Sequence, residues 1–186
     1  MTPSGRLLVF MGMKHCGKST LGRMFAEHLK LPFTDLDAVA NEIAYRKYGI
    51  NITVREVYRN EGKEAFQALE KYALLQIIAG YPAADQCAVV AIGGGTIENS
   101  EGMAALDAKG YFIYLYQDEA VLFKRITASG IPPFLEGPDP QEAFHVLYEN
   151  RTALYREKAD IEVDIRNLSP EQGVKKILNR TGYYGS

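Results

Sequence analysis

Cysteine, histidine and excess charge are all scarce in this sequence, and each scarcity closes off a class of function. The two cysteines, Cys16 and Cys87, belong to no CxxC pair and no Cys/His array, so a disulfide framework or a zinc site is unsupported. A reduced, cytoplasmic protein fits best. With 21 basic and 23 acidic side chains the net charge is −2, so no bulk field draws the chain to nucleic acid or to an anionic membrane. Any anion must be recognised locally. The N-terminal apolar run, residues 7–11, is too short for a signal-peptide core, and no stretch approaches the roughly 18 residues of a spanning helix. Internal repeats, low-complexity tracts and charge blocks are also missing.

What remains is 186 residues at 47% hydrophobic composition, the size and content of one compact domain. Continuous apolar runs at 7–11 (LLVFM), 88–92 (AVVAI) and 111–116 (YFIYLY) lack alternation, so they read as strands buried on both faces. Shorter strands are expected at 33–35 and 160–163. Helical patterns lie between them, at 18–29, 38–48, 63–79, 99–108, 119–128, 141–158 and 170–179. Strands alternating with helices predict a three-layer α/β/α fold around a five-stranded parallel sheet. The Pro/Gly-dense stretch 130–140 (GIPPFLEGPDP) reads as a long mobile loop, and the tail with Tyr183 and Tyr184 as a segment that frays.

The segment GMKHCGKST follows the first strand and opens the first helix, the context in which Gly-x4-Gly-Lys-Ser is a phosphate-binding P-loop. Gly12 and Gly17 let backbone N–H groups and the positive helix end surround a triphosphate. Lys18 reaches the β- and γ-phosphates, Ser19 ligates Mg2+, and Thr20 holds the α-phosphate. His15 and Cys16 occupy the variable positions of the loop, His15 as a loop residue and Cys16 as a tolerated small side chain.

The next strand ends in Asp35 and Asp37, two apart and so on one face of an extended chain at its carboxyl end. Asp35 is placed to order the water shell of Mg2+, and Asp37 to accept the proton of an attacking hydroxyl. The plainer alternative is that Asp37 caps the following helix. Gly93, Gly94 and Gly95 close the third long run, either as a tight strand exit or as a floor on which a substrate touches backbone. On the helix from Gln141 an apolar stripe of Phe144, Leu147, Tyr148, Leu154 and Tyr155 carries Arg151 on the same side. An inward guanidinium needs a partner, either an ion pair, for instance with Glu70, or a substrate carboxylate.

In order and spacing, GMKHCGKST, DLD, NITVREVYRNEGKEAFQALE, AIGGGT, PPFLEGP and NRTALYREKAD resemble the shikimate kinase family over nearly the whole chain. The resemblance implies a nucleoside-monophosphate-kinase-like P-loop fold in one domain, 1–186, with a lid at about 126–140 that closes over ATP. It also implies ATP and Mg2+ as cofactors and transfer of the γ-phosphoryl group to the 3-hydroxyl of shikimate; an architecture that needs no partner to complete its core fits a monomer. By the same match Asp37 holds the substrate hydroxyls, Gly93 to Gly95 form the floor, Arg151 meets the carboxylate, and Arg125 meets the adenine.

Two positions depart from the family pattern. Gln67 follows Phe66 where the family has an arginine that grips the carboxylate, and Lys63 replaces a glutamate; Pro132 stands where the lid carries an arginine. An amide in place of a guanidinium weakens carboxylate binding by ~1–3 kcal/mol. No lysine or arginine occurs from residue 126 to 150, so lid closure brings no cation to the phosphoryl group unless Lys14, Lys124 or Arg125 substitutes. Two other functions therefore stay open: a kinase of another small polyhydroxy metabolite such as a gluconate-like acid, or a catalytically weak nucleotide-binding regulatory protein.

Overall fold

A computed structural model describes residues 5–48, 52–81, 86–128 and 130–183. Its centre is β1 (Leu7–Met11), whose five side chains are all buried because both faces of the strand are covered. β1 pairs in parallel with β3 (Ala88–Ala91) on one side and β4 (Gly110–Tyr116) on the other. The sheet is completed by β2 (Phe33–Asp35) and β5 (Ile161–Asp164), giving the order β2-β3-β1-β4-β5 with every pairing parallel.

That order places the switch in chain direction beside β1. After β1 the chain leaves for the edge, returns as β3, then crosses over β1 to β4. A crevice outside the carboxyl ends of β3, β1 and β4 follows from this winding, and ligands of open α/β sheets bind there.

The helices are α1 (Lys18–Leu29), α2 (Leu36–Tyr48), α3 (Val54–Ala79), α4 (Ser100–Asp107), α5 (Glu119–Thr127), α6 (Pro140–Lys158) and α7 (Pro170–Thr181). Most match the apolar periodicity to within a residue or two. α3 is the exception, because it begins nine residues before the expected start at Lys63 and is broken at Gly62 (φ 88°, ψ −179°). Its first segment is nucleated by a reciprocal capping box, with Thr53 Oγ1 accepting from Glu56 N and the Glu56 carboxylate accepting from Thr53 N.

Three smaller expectations are also corrected. Leu154 is exposed, and the buried stripe of α6 is Phe144, Tyr148, Thr152 and Tyr155. Tyr183 is packed, its ring edge-on to Phe25 and its hydroxyl on Cys87 Sγ at 3.2 Å. In the Pro/Gly-dense stretch, residues 133–135 form a 3-10 turn whose Leu135 is buried. Tyr184 and residue 129 lie outside the described residues. Among the described residues no helix is long and apolar enough to cross a membrane.

Candidate active site

The loop between β1 and α1 holds its shape through positive φ at Gly12 (146°), His15 (63°) and Gly17 (108°). At Gly12 there is no room for a side chain either, since a Cβ there would lie 2.7 Å from the carbonyl oxygen of Leu115. Lys18 is buried and donates from Nζ to the Met13 carbonyl at 3.0 Å, which aims the ammonium back across the loop. Cys16 is buried under the loop, and its amide donates to the same carbonyl at 3.2 Å. α1 starts on Gly17 with no side-chain cap, so its leading N–H groups keep their capacity for an anion. Ser19 and Thr20 are exposed in that first turn.

The two carboxylate oxygens of Asp35 serve different elements. Its Oδ2 accepts from Ser19 Oγ at 2.5 Å, and its Oδ1 accepts from the backbone of Asp37 at 3.0 Å and Ala38 at 3.4 Å. This corrects the expectation that Asp35 and Asp37 share a strand face. The strand stops at Asp35 and α2 starts at Leu36, so the aspartate that caps α2 is Asp35, and Asp37 stands exposed in the first helical turn. The Asp37 carboxylate nevertheless reaches the crevice, with Oδ1 3.2 Å from where a Cβ on Gly93 would be.

The three-glycine turn is crowded by the protein's own atoms. A Cβ at Gly93 would fall 2.9 Å from Thr96 Oγ1, one at Gly94 2.7 Å from the Lys14 amide nitrogen, and one at Gly95 3.4 Å from Arg151 Nη2. Gly94 therefore lets the floor touch the P-loop directly. Tyr155, fully buried, donates its hydroxyl to the Gly94 carbonyl at 2.6 Å, and burial pushes that phenol well above its ordinary pKa, so it remains a donor.

Arg151 pairs with Glu98 and not with Glu70. Nε and Nη2 donate to the two Glu98 oxygens at 3.0 and 3.2 Å, with side-chain exposures of 15% and 27%. Burial alone would raise the Glu98 pKa, but the Arg151 hydrogen bonds and charge, with Lys63 beyond, hold it below the ordinary carboxylate value. Glu70 instead accepts from Thr96 Oγ1 at 2.6 Å and from Asn99 Nδ2 at 3.4 Å. Burial raises its pKa despite both bonds. The Gln67 carbonyl accepts from Asn99 Nδ2 at 2.8 Å.

Arg125 donates from Nη1 to the His15 carbonyl at 3.0 Å and lines a cleft of about 190 Å³ with Cys16, Gly17, Thr20, Gln117 and Pro170. A larger cleft, about 530 Å³, lies between α2 and α3 and is lined by none of the candidate residues. Lys124 is exposed on α5.

A model of the shikimate kinase family matches residues 14–181. Shikimate kinases from Mycobacterium marinum and Rhodococcus jostii are 31% and 33% identical over 92% and 91% of this chain, covering 87% and 94% of their own lengths. The chain belongs to the shikimate kinase family. Among solved structures, the shikimate kinase from Acinetobacter baumannii in complex with shikimate superposes with TM-score 0.78 at 26% identity, covering 94% of this chain and 92% of its own. A gluconokinase from Sinorhizobium meliloti, at TM-score 0.53 and 17% identity over 100% of this chain and 95% of its own, shares the fold alone.

Within this family member, the structure brings the P-loop, Asp35, Asp37, Gly93 to Gly95 and Arg151 to one end of the sheet, with Arg125 on the far side of the loop. Sequence reading missed Glu98 and the buried Glu70–Thr96–Asn99 cluster. The only signal was a glutamate and two hydrogen-bonding side chains directly after a three-glycine turn.

Proposed function

We propose that this P-loop protein is an ATP- and Mg2+-dependent phosphotransferase that phosphorylates an alcohol on a small polyhydroxy acceptor. The observation that carries the reading is the convergence of Lys18, the Ser19–Asp35 pair and Asp37 at the carboxyl ends of adjacent strands, with Asp37 facing Gly93. A donor site alone has no need of a carboxylate on the acceptor side.

In this mechanism the loop N–H groups and Lys18 hold the phosphates in line with the acceptor, which rests on Gly93 to Gly95. Ser19 and Asp35 present adjacent hard oxygens, the donor set that suits Mg2+. When bound there, Mg2+ supplies charge neutralisation at the phosphates. Asp37 takes the proton of the attacking hydroxyl as its oxygen bonds to the γ-phosphorus and the bond to ADP breaks. Arg125 and the cleft beside the P-loop receive the adenine. The segment 126–140 acts as the lid of a single domain, with Leu135 as its anchor on the core.

Shikimate is the first acceptor to test, because the matching family and the complex from Acinetobacter baumannii both carry its name. A specific observation favours a second acceptor class: the guanidinium expected to meet a carboxylate is already paired with Glu98. The experiment is ADP release by the purified protein with shikimate, quinate, gluconate and a panel of neutral polyols, against a control without acceptor. Turnover of ~1 s⁻¹ or more with one of them establishes the kinase and its acceptor. ATP binding with no acceptor-dependent release would replace this reading with a regulatory nucleotide binder.

A further inference from the structure

The acceptor end of the crevice contains an ion pair that phosphoryl transfer does not use. Arg151 stands against the glycine floor, with Nη2 3.4 Å from where a Cβ on Gly95 would sit. Its Nε–Nη2 edge is engaged by both oxygens of Glu98. The pairing is built in from both sides. Glu98 ends the short 3-10 turn Thr96–Glu98, which is tied down by Thr96 on Glu70 and by Asn99 on Gln67 and Glu70. Arg151 stands on α6 between Tyr148, which donates to the Gln117 carbonyl at 3.0 Å, and Tyr155 on Gly94.

We propose that Glu98 determines acceptor specificity, neutralising Arg151 so that the site takes an uncharged polyhydroxy compound and disfavours a carboxylate. The inference rests on the reading of the chain as a small-molecule kinase and concerns only the face of the acceptor turned toward Arg151. A carboxylate arriving there meets a guanidinium whose charge is already offset by Glu98, so the attraction is reduced, and it must also lose its own hydration. A hydroxyl loses far less water and can both accept from a guanidinium N–H and donate to a Glu98 oxygen. Gln67, whose Nε2 donates to the Glu98 backbone carbonyl at 3.5 Å, adds no charge that would reverse the preference. The competing possibility is also present in the structure: Lys63 lies near enough to act on Glu98, and a carboxylate acceptor could drive Glu98 across to it.

The test separates charge from shape. Shikimate and its methyl ester carry the same ring hydroxyls and differ in charge, and each is titrated calorimetrically into wild type and Glu98→Gln with ADP and Mg2+ present. The glutamine is isosteric and leaves Arg151 one acceptor, and circular dichroism checks that the variant is folded. The expected result is that wild type binds the ester at least as well as the acid. In E98Q the affinity for shikimate rises ~tenfold or more while that for the ester changes less than ~threefold. A wild-type affinity for shikimate within ~threefold of that of E98Q, or a clear wild-type preference for the acid over the ester, overturns the proposal. The wild-type comparison stands even if the variant fails to fold. Failure of the kinase reading has a different signature, no acceptor-dependent ADP release with any hydroxy compound, and the binding comparison decides the role of Glu98 in either case.

Discussion

Ser19 Oγ donates to Asp35 Oδ2 across 2.5 Å, joining the first turn of α1 to the last residue of β2. The other oxygen of the same carboxylate caps α2. Asp35 thus has a structural task and a proposed metal-ordering task on separate atoms, and two substitutions separate them. Asp35→Asn keeps an oxygen for the cap. It is expected to melt close to wild type while the Mg2+ concentration for half-maximal activity rises ~10–100-fold. Asp35→Ala loses both and should also lose ~0.5–2 kcal/mol of stability in urea titration. Equal activity of Asp35→Asn and wild type at limiting Mg2+ would remove Asp35 from the metal site.

Asp37 stands two residues further on, exposed in the first turn of a helix whose cap is Asp35, so an isosteric amide there is expected to leave the protein folded. Asp37→Asn is expected to lower kcat ~10²–10⁴-fold, the usual weight of a general base, with ATP affinity and thermal stability unchanged. Normal turnover by the variant would refute the proton-transfer role.

At Gly94 the space for a side chain is filled by the Lys14 backbone, 2.7 Å from the Cβ position. Gly94→Ala should therefore separate the floor from the P-loop, costing ~1–3 kcal/mol of stability and weakening ATP binding as well as acceptor binding. Gly137→Ala is the control, because nothing lies within 4 Å of its Cβ position. Its unfolding free energy should stay within ~0.5 kcal/mol of wild type.

His145 on α6 faces Glu119 at the start of α5, with Nδ1 3.1 Å from Oε2. The Glu119 hydrogen bond and charge raise the imidazole above its ordinary value of 6.5, with Glu142 and Glu149 adding to the effect. A raised folded-state pKa means that the native protein binds the proton more tightly than the unfolded chain. The pair's contribution is thus fully present below pH 6.5 and fades as pH rises through the higher folded value. NMR titration should place His145 above 6.5 in wild type and lower in Glu119→Gln. Coincident titration curves would show that the pair does not form in solution.

Much of this site was legible because its information is local. A buried run, Gly12, Gly17 and a Lys-Ser pair within nine residues define a P-loop without any tertiary knowledge. The first segment of α3 was equally local and was missed, although Thr53 and Glu56 spell its capping box, because the apolar periodicity is interrupted at Gly62. Asp37 was misplaced for a related reason: period-two reasoning fails once a strand ends, and the helix here starts one residue after Asp35. The Arg151–Glu98 pair belongs to a different class. Its members are 53 residues apart on α6 and a 3-10 turn, and no local pattern distinguishes Glu98 from Glu70 as the partner.

Tyr155 fixes the height of the glycine floor by holding the Gly94 carbonyl, and from the other side the floor is pressed against the P-loop. For anyone redesigning the acceptor, the floor is therefore a datum that cannot be shifted without disturbing the nucleotide site. The turn that follows it is held by Glu70 on α3 and Arg151 on α6, and Glu98 is its last residue. New acceptor preferences, whether reached by mutation over generations or by a designed library, have their freest path through that turn and the helix face opposite it, with the catalytic geometry left in place.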